Sequence, residues 1–190
     1  GITPYDSYKG HTKELIESRA FHSDTKASPE YVPLISGKNI NPYFISEDVK
    51  EYLKYGNWLG AAREQKFFEQ PKIIVRQILS GPDLRIIAGY SESPHYFTQI
   101  GFSLISKTQD INLLKYLTAI LNSKLMSYYH KEKYLDKEKT VFQKILIANC
   151  KLFPIQVPMY LELAFLVDSI RKQISQKESA SVKLIEKKIH

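Results

Sequence analysis

The run Lys72-Ile73-Ile74-Val75-Arg76-Gln77-Ile78-Leu79 decides the fold class, because it is the clearest β-strand in this chain of 190 residues. It is rich in β-branched residues and follows Pro71, which interrupts any preceding element. The cluster Ser80-Gly81-Pro82-Asp83 then predicts a turn, and Leu84-Arg85-Ile86-Ile87-Ala88 is expected to return as the hairpin partner. The centre of the chain therefore predicts a β-sheet.

Further elements on both sides of this strand make the predicted fold a mixture of helices and strands. Val32 to Ile35 and Ile100 to Ile105 predict two more strands, and Glu47 to Tyr55 predicts a short helix. Apolar residues recur at spacings of three and four between Asp110 and Tyr128, which predicts one helix capped by Asp110. The lysine-rich stretch 131–144 lacks such a period and is expected to be a loop.

The C-terminal segment from Tyr160 to His190 predicts one long helix with an interrupted apolar stripe. A helix of about 30 residues is about 45 Å long, which is more than a compact domain needs. Two alternatives stay open, in which the helix either folds back on its own domain or leads into a further part of the protein. The chain starts at Gly1 without an initiator Met, so we expect it to be part of a longer protein.

The composition favours a cytoplasmic protein with a basic surface. One cysteine, Cys150, excludes an intrachain disulfide, and no apolar run approaches the roughly 20 residues of a membrane helix. The 27 basic and 20 acidic residues give a net charge of +7. Residues 123–151 hold seven lysines and three carboxylates, a net charge of +4. Such clustering is typical of a phosphate-facing surface, and a solvated lysine-rich loop remains the alternative.

No motif in the sequence predicts a catalytic centre or a bound cofactor. The five histidines lack metal-ligand spacing, and the eight glycines form no phosphate-binding loop. Asn41-Pro42-Tyr43-Phe44 has the form of an adenine-binding Asn-Pro-Pro-Tyr loop but lacks the second proline. Pro82-Asp83 has the form of a nuclease metal site but lacks the following acidic-x-Lys triplet. We therefore expect a chain without catalytic residues, cofactor or metal.

Four stretches of the sequence, in order, resemble the TaqI-like C-terminal specificity domain of DNA methyltransferases. The family carries "Leu-x-x-Gly-Lys-Asp-Ile", "Phe-x-x-Pro-Lys-Ile-x-x-Arg", "Leu-x-Ala-x-Leu-Asn-Ser-Lys" and "Leu-Pro-Ile-Pro" elements. The matching stretches are Pro33 to Ile40, Phe68 to Gln77, Tyr116 to Leu125, and Phe153 to Ile155. Asn39 stands where the family more often has an acidic residue.

The resemblance implies a mixed α/β (α+β) fold, with a curved, mostly antiparallel or mixed sheet, flanking helices and a long C-terminal helix. Residues 1–158 would be a DNA target-recognition domain, and residues 159–190 a helix that packs on or links to the rest of the parent. The parent would be a site-specific DNA adenine methyltransferase, either alone or fused to a restriction endonuclease. Its methyltransferase catalytic domain would hold S-adenosylmethionine. The implied partners are double-stranded DNA and that methyltransferase domain, with no membrane.

Two other functions remain open from the sequence. Type I restriction specificity subunits carry related domains, so the chain could be half of such a subunit. It could also be a protein-interaction module with an incidental basic loop.

The candidate DNA contacts are basic and amide side chains on turns and on the central strand, because such groups bind phosphates and base edges. For the turn residues, hydrogen bonds to their own backbone are the alternative role, and for Arg63 and Lys66 it is surface ion pairs. Arg76 and Gln77 are expected on opposite faces of the strand. The full set is Lys38, Asn39, Asn41, Arg63, Lys66, Arg76, Gln77, Lys131, Lys133, Lys137, Lys139 and Lys144.

Overall fold

The computed structural model describes residues 1–79, 83–136, 143–156 and 160–176, and it confirms a mixed α+β fold. The strands are His22–Ser23 (β1), Tyr31–Ile35 (β2), Ile40–Asn41 (β3), Tyr43–Ile45 (β4), Tyr52–Lys54 (β5), Lys72–Arg76 (β6), Ala88–Ser91 (β7), Tyr96–Phe97 (β8) and Gly101–Ile105 (β9). The helices are Lys13–Glu17 (α1), Lys66–Glu69 (α2), Ile111–Asn122 (α3), Lys124–Tyr134 (α4), Ile147–Cys150 (α5) and Tyr160–Ser175 (α6), with a 3₁₀ turn at Ser7–Lys9.

The strands form two mixed sheets. A four-stranded sheet has the order β1-β5-β2-β8, and a five-stranded sheet has the order β3-β4-β7-β6-β9. β6 lies between β7 and β9 and pairs antiparallel with both, whereas β2–β8 and β4–β7 pair in parallel. The strongest strand of the sequence is therefore an interior strand of the larger sheet.

Alternation along β6 places its side chains in two hydrophobic cores. Ile73 and Val75 face the helices, where they share a core with Leu114 and Leu121 of α3. Ile74 faces the opposite way and packs in a second core with residues of the four-stranded sheet. Successive side chains of a strand point to opposite faces of the sheet, so one strand supplies both cores. We call these two faces of the larger sheet the helix face and the groove face.

The predicted helix from Asp110 to Tyr128 is two helices. Asp110 caps α3 as expected, since its carboxylate accepts a hydrogen bond from the Leu113 N–H at 2.9 Å. The chain then breaks at Ser123, which has extended backbone (ψ 148°) and whose hydroxyl accepts from the Met126 N–H at 3.1 Å. This second cap rotates the helical phase, so Leu125 and Tyr128 are 75% and 63% exposed instead of buried. α4 also continues through Tyr134, so the prediction of a loop from residue 131 was wrong at its start.

Two other element predictions were wrong. The predicted helix at Glu47 to Tyr55 instead contains β5, in which buried Leu53 alternates with two half-buried neighbours and the strand pairs with β1 and β2. The hairpin partner of β6 begins at Ala88, opposite Val75, so the predicted partner strand overlaps it at one residue. Helix contacts hold the preceding residues instead, since the Ile86 N–H donates to the Ser127 hydroxyl of α4.

Within the described residues, the C-terminal helix folds back on its own domain. Val167 and Ile170 of α6 are fully buried against Ala119 of α3 and Tyr43 of β4. The Lys115 ammonium of α3 lies 2.7 Å from the Asp168 carboxylate of α6 and adds an ion pair to this contact. Residues 177–190 of the predicted helix lie outside the described residues. No helix in the described part of the chain is long and apolar enough to span a membrane.

Candidate functional site

A groove of about 700 Å³ opens on the groove face, beside the end of β6. One side is the turn 36–39, which follows β2. A second side is the segment 46–51 between β4 and β5, which we call the groove wall. Arg76 and Ile78, at the end of β6 and beyond it, form the third. Three segments that are distant in the sequence therefore meet in one depression.

The side chain of Asn39 organises the turn and joins it to the groove wall. Its amide oxygen accepts from the backbone N–H and the hydroxyl of Ser36, at 2.9 and 2.8 Å. Its amide nitrogen donates to the carbonyls of Ser46 and Asp48, at 3.3 and 2.8 Å. Asn39 is buried, and both ends of its amide are bonded within the chain. This is the alternative role considered for the turn residues, and a DNA contact by Asn39 stays a prediction.

Lys38 is the exposed cation of this ordered turn. The neighbouring Asn39 is buried, so the turn presents the lysine to solvent at the edge of the groove. No ion pair within the described residues includes Lys38. Asn41 lies half-buried in β3, and its amide donates to the Asn39 carbonyl at 3.1 Å. Of these two predicted residues, Lys38 has the accessible charge.

Arg76 brings a second cation into the groove from the central strand. It follows Ile74 on the groove face, and its guanidinium donates to the Gly37 carbonyl at 3.4 Å. Partial burial lowers the pKa of this guanidinium from its very high ordinary value, and it stays charged at neutral pH. Gln77 is half-buried, and its backbone pairs with Ile100 and Ile145. The groove lining includes Arg76 and Ile78 but not Gln77, and the opposite direction of the Gln77 side chain stays a prediction.

Lys144, from the lysine-rich stretch, pairs with the groove residue Ile78. It forms an antiparallel bridge with Ile78, flanked by the hydrogen bonds Leu79 N–H to Gln143 O and Ile145 N–H to Gln77 O at 2.9 and 3.0 Å. Residues opposite each other in such a non-hydrogen-bonded pair are close and point to the same face. Ile78 lines the groove, so its partner Lys144 lies next to a lining residue.

The carboxylates of the groove are already paired with cations of the chain. Asp48 lies 3.8 Å from the Lys50 ammonium, and Glu51 lies 2.5 Å from the Arg19 guanidinium. These pairs compensate the charges of Asp48 and Glu51, the two carboxylates that line the groove, so the cations on its other sides dominate the charge of the lining. The resulting surface attracts an anion through Lys38, Arg76 and Lys144.

The other predicted contacts that belong to the described residues are not part of the groove lining. Arg63 has left-handed backbone (φ 68°), and its side chain donates to the Gly1 carbonyl at 3.3 Å. Lys66 forms the ion pair that was its alternative role, 2.6 Å from Glu64. Lys131 and Lys133 lie exposed on α4, which packs on the helix face. Lys137 and Lys139 lie outside the described residues.

A buried polar cluster of Lys72 and His95, next to Glu47 of the groove wall, was not predicted from the sequence. The one local indication was a lysine in an otherwise apolar strand. The Lys72 ammonium is fully buried and donates to the carbonyls of Ser93 and Gln70, at 2.7 and 3.2 Å. Burial lowers the pKa of Lys72 to about 8. The buried His95 shares the Ser93 carbonyl and lies 3.3 Å from the Glu47 carboxylate. No cluster of three metal-ligating side chains occurs among the residues that the structure describes.

Comparison with known proteins identifies the kind of domain that carries this groove. The model of the TaqI-like C-terminal specificity domain matches residues 32–155, which include the turn, the wall, β6 and Lys144. The chain belongs to this family. It is also 26% identical over 158 residues to a protein named as a type II restriction enzyme and methyltransferase of Methanocaldococcus jannaschii. The match covers 83% of this chain and 13% of that relative, so this specificity domain spans a small part of the relative's length.

Proposed function

We propose that this specificity domain binds double-stranded DNA in a sequence-specific manner through the groove at the end of β6. The observation that carries the proposal is that Lys38 and Arg76 line one groove and that Lys144 pairs with a third lining residue, Ile78. All three cations lie within residues 32–155, which the family model matches. A DNA duplex is a dense array of phosphates, and cations grouped on one face are the feature that binds it.

The three cations suit different parts of the duplex. Lys38 and Lys144 are exposed point charges at the edges of the groove, which favours contacts to phosphates. Arg76 is half-buried and already oriented by the Gly37 carbonyl, and its planar donor set fits a phosphate or a guanine edge in two-point contact. Contacts to phosphates position a protein on DNA, whereas contacts to base edges give the sequence preference.

The parent protein in this proposal is an adenine-specific DNA methyltransferase of a restriction-modification system, located in the cytoplasm. The relative's name supports a methyltransferase associated with a restriction enzyme. An enzyme that methylates adenine has to move the base out of the duplex, so it needs a separate grip on the flanking DNA. The specificity domain would supply that grip and the sequence preference, and the catalytic domain of the same parent would carry out methyl transfer.

The salt dependence of duplex binding tests the proposal. We expect the affinity of the chain for a mixed-sequence duplex to fall with salt, and K38A and K144A each to reduce the log–log slope by about 0.9. K13A is the matched control, because Lys13 is an exposed lysine on α1 paired with Glu17 at 3.6 Å. Salt-independent binding, or no binding, would show that the DNA proposal is wrong. A larger loss for K133A than for K38A would move the DNA contact to the helix face.

Selection from a pool of randomised duplexes tests the specificity. We expect the wild-type chain to enrich a short shared sequence and R76K to broaden or change it, because lysine cannot reproduce the two-point contact of arginine. Enrichment by neither protein would reduce the proposed function to non-specific DNA binding.

A further inference from the structure

The groove wall, residues 46–51, has no strand or helix of its own. Backbone hydrogen bonds attach it at its two ends, where Ser46 N–H donates to the Asn39 carbonyl at 2.8 Å and Leu34 N–H donates to the Glu51 carbonyl at 2.9 Å. Between these ends, side chains determine where the wall lies.

Glu47 joins the wall to the buried polar cluster. Its side chain is 70% exposed, yet one carboxylate oxygen lies 3.3 Å from the Nε2 atom of His95, which is 1% exposed. The Nδ1 atom of His95 lies 3.0 Å from the Ser93 carbonyl. A carbonyl only accepts hydrogen bonds, so Nδ1 carries a proton. The Nε2 atom of His95, which faces Glu47, is therefore protonated only when the imidazole is charged.

The wall in turn holds the turn that carries Lys38. The two carbonyls on either side of Glu47, those of Ser46 and Asp48, are the acceptors of the Asn39 amide. A displacement of Glu47 therefore moves both acceptors of the side chain that organises the turn.

We propose that His95 is a positioning residue that fixes the groove wall through Glu47, and that its protonation tightens the turn bearing Lys38. The charged imidazole donates to Ser93 on one side and attracts the Glu47 carboxylate on the other. The neutral imidazole presents a lone pair to that carboxylate and releases it. The part of this inference that concerns DNA affinity rests on the proposed function, whereas the coupling of His95 to the wall does not.

The charges around His95 set the pH range of this effect. Burial lowers the pKa of His95, the Glu47 carboxylate opposes that shift, and the Lys72 ammonium lowers the pKa further. Glu47 and Glu69 raise the pKa of Lys72, which opposes the effect of burial on that ammonium. His95 consequently gains its proton below the ordinary histidine value of about 6.5, so the wall is expected to tighten as the pH falls from neutral.

Nuclear magnetic resonance of the free chain tests the coupling without DNA. We expect the Asn39 side-chain amide and the Asp48 backbone amide to shift with the same midpoint as the His95 ring. E47Q should lower that midpoint and abolish the shift of the two amides, and Glu47 is exposed enough to be replaced without unfolding the protein. E64Q is the control, because Glu64 pairs with Lys66 away from the wall. Amides that do not respond to His95, or a midpoint that E47Q leaves in place, would overturn the inference.

Duplex binding about one pH unit below and above the His95 midpoint measured in that titration tests its consequence. E47Q should bind about threefold more weakly than wild type below the midpoint and equally above it, which is the size expected for a partly exposed ion pair. Coupled amides together with wild-type duplex binding that E47Q does not change below the midpoint would overturn the link to DNA affinity. Coupled amides in a chain that binds no DNA would refute the proposed function and leave the positioning role of His95 intact.

Discussion

Each face of the five-stranded sheet has a buried asparagine and a buried histidine. The contacts of these residues differ between the helix face and the groove face. On the helix face, the Asn122 amide exchanges hydrogen bonds with both backbone groups of Ala88, accepting at 3.1 Å and donating at 2.7 Å. On the groove face, the Asn39 amide bonds the turn and the wall. On the helix face, His130 lies in an aromatic cluster, and neither of its ring nitrogens has a hydrogen-bond partner among the described residues. On the groove face, His95 bonds the Ser93 carbonyl through Nδ1, and its Nε2 atom lies 3.3 Å from the Glu47 carboxylate.

The difference separates a packing role from a positioning role for the same residue types. Asn122 ends α3 and bonds Ala88, the first residue of β7, so its bonds join a helix to a sheet inside the core. Asn39 bonds two irregular segments beside an open groove, so its bonds determine where an exposed cation lies. We expect substitutions on the helix face to affect stability and substitutions on the groove face to affect DNA binding.

The largest expected effect is the loss of stability in N122A. The substitution leaves the Ala88 N–H and carbonyl without partners in a buried site, which costs about 3 kcal/mol in the free energy of unfolding. Urea unfolding followed by circular dichroism measures this loss. The control is N112A, which makes the same change at an exposed position of α3. Equal stabilities of the two variants would show that the Asn122 bonds do not join the helix to the sheet.

A smaller effect is expected from pH on the helix face. Burial lowers the pKa of His130 below the unfolded value of about 6.5. The unfolded chain therefore takes up this proton first, so the His130 contribution is present above pH 6.5 and is lost as the pH falls below it. H130F should make the free energy of unfolding less dependent on pH between 6.5 and 5. An unchanged pH dependence in H130F would mean that His130 is not the group responsible.

The smallest change in stability is expected on the groove face, together with a change in binding. In N39D the carboxylate still accepts from Ser36 but cannot donate to Ser46 and Asp48, which we expect to cost about 1 kcal/mol of stability. Duplex affinity should fall more than in N41D, which adds the same negative charge two residues away. Fluorescence anisotropy at one salt concentration measures both. Equal affinities would show that charge, and not the position of the turn, explains the loss.

Much of the fold could be predicted from local sequence patterns. The β-branched run at β6, the apolar spacing of α3 and the cap at Asp110 each depend on neighbouring residues, and the structure confirms all three. The errors arose where distant contacts decided the local structure. Leu53 pairs with two strands far away in the sequence, and Ser123 starts a new helix where the apolar spacing predicted that one would continue.

The candidate site was predicted less completely than the fold. The sequence identified Lys38, Arg76 and Lys144 as candidates, together with nine other residues that it could not separate from them. Whether Lys66 faced DNA or Glu64 depended on side-chain geometry, and the burial of Lys72 depended on the packing of both sheets. His95 and Glu47 carry no local pattern, because their contact joins two segments across 48 positions of sequence.

The sequence by itself determined the family, the central strand and the basic character of the domain. The family elements and the strand depend on residue types and their spacing over a few positions, and the basic character is the sum of the charges along the chain. The tertiary structure decided which cations lie at one groove, and it decided that the buried Asn39 amide orders the turn that carries Lys38. Such properties depend on the pairing of segments that are far apart in sequence, such as Ile78 with Lys144, and no local pattern encodes that pairing.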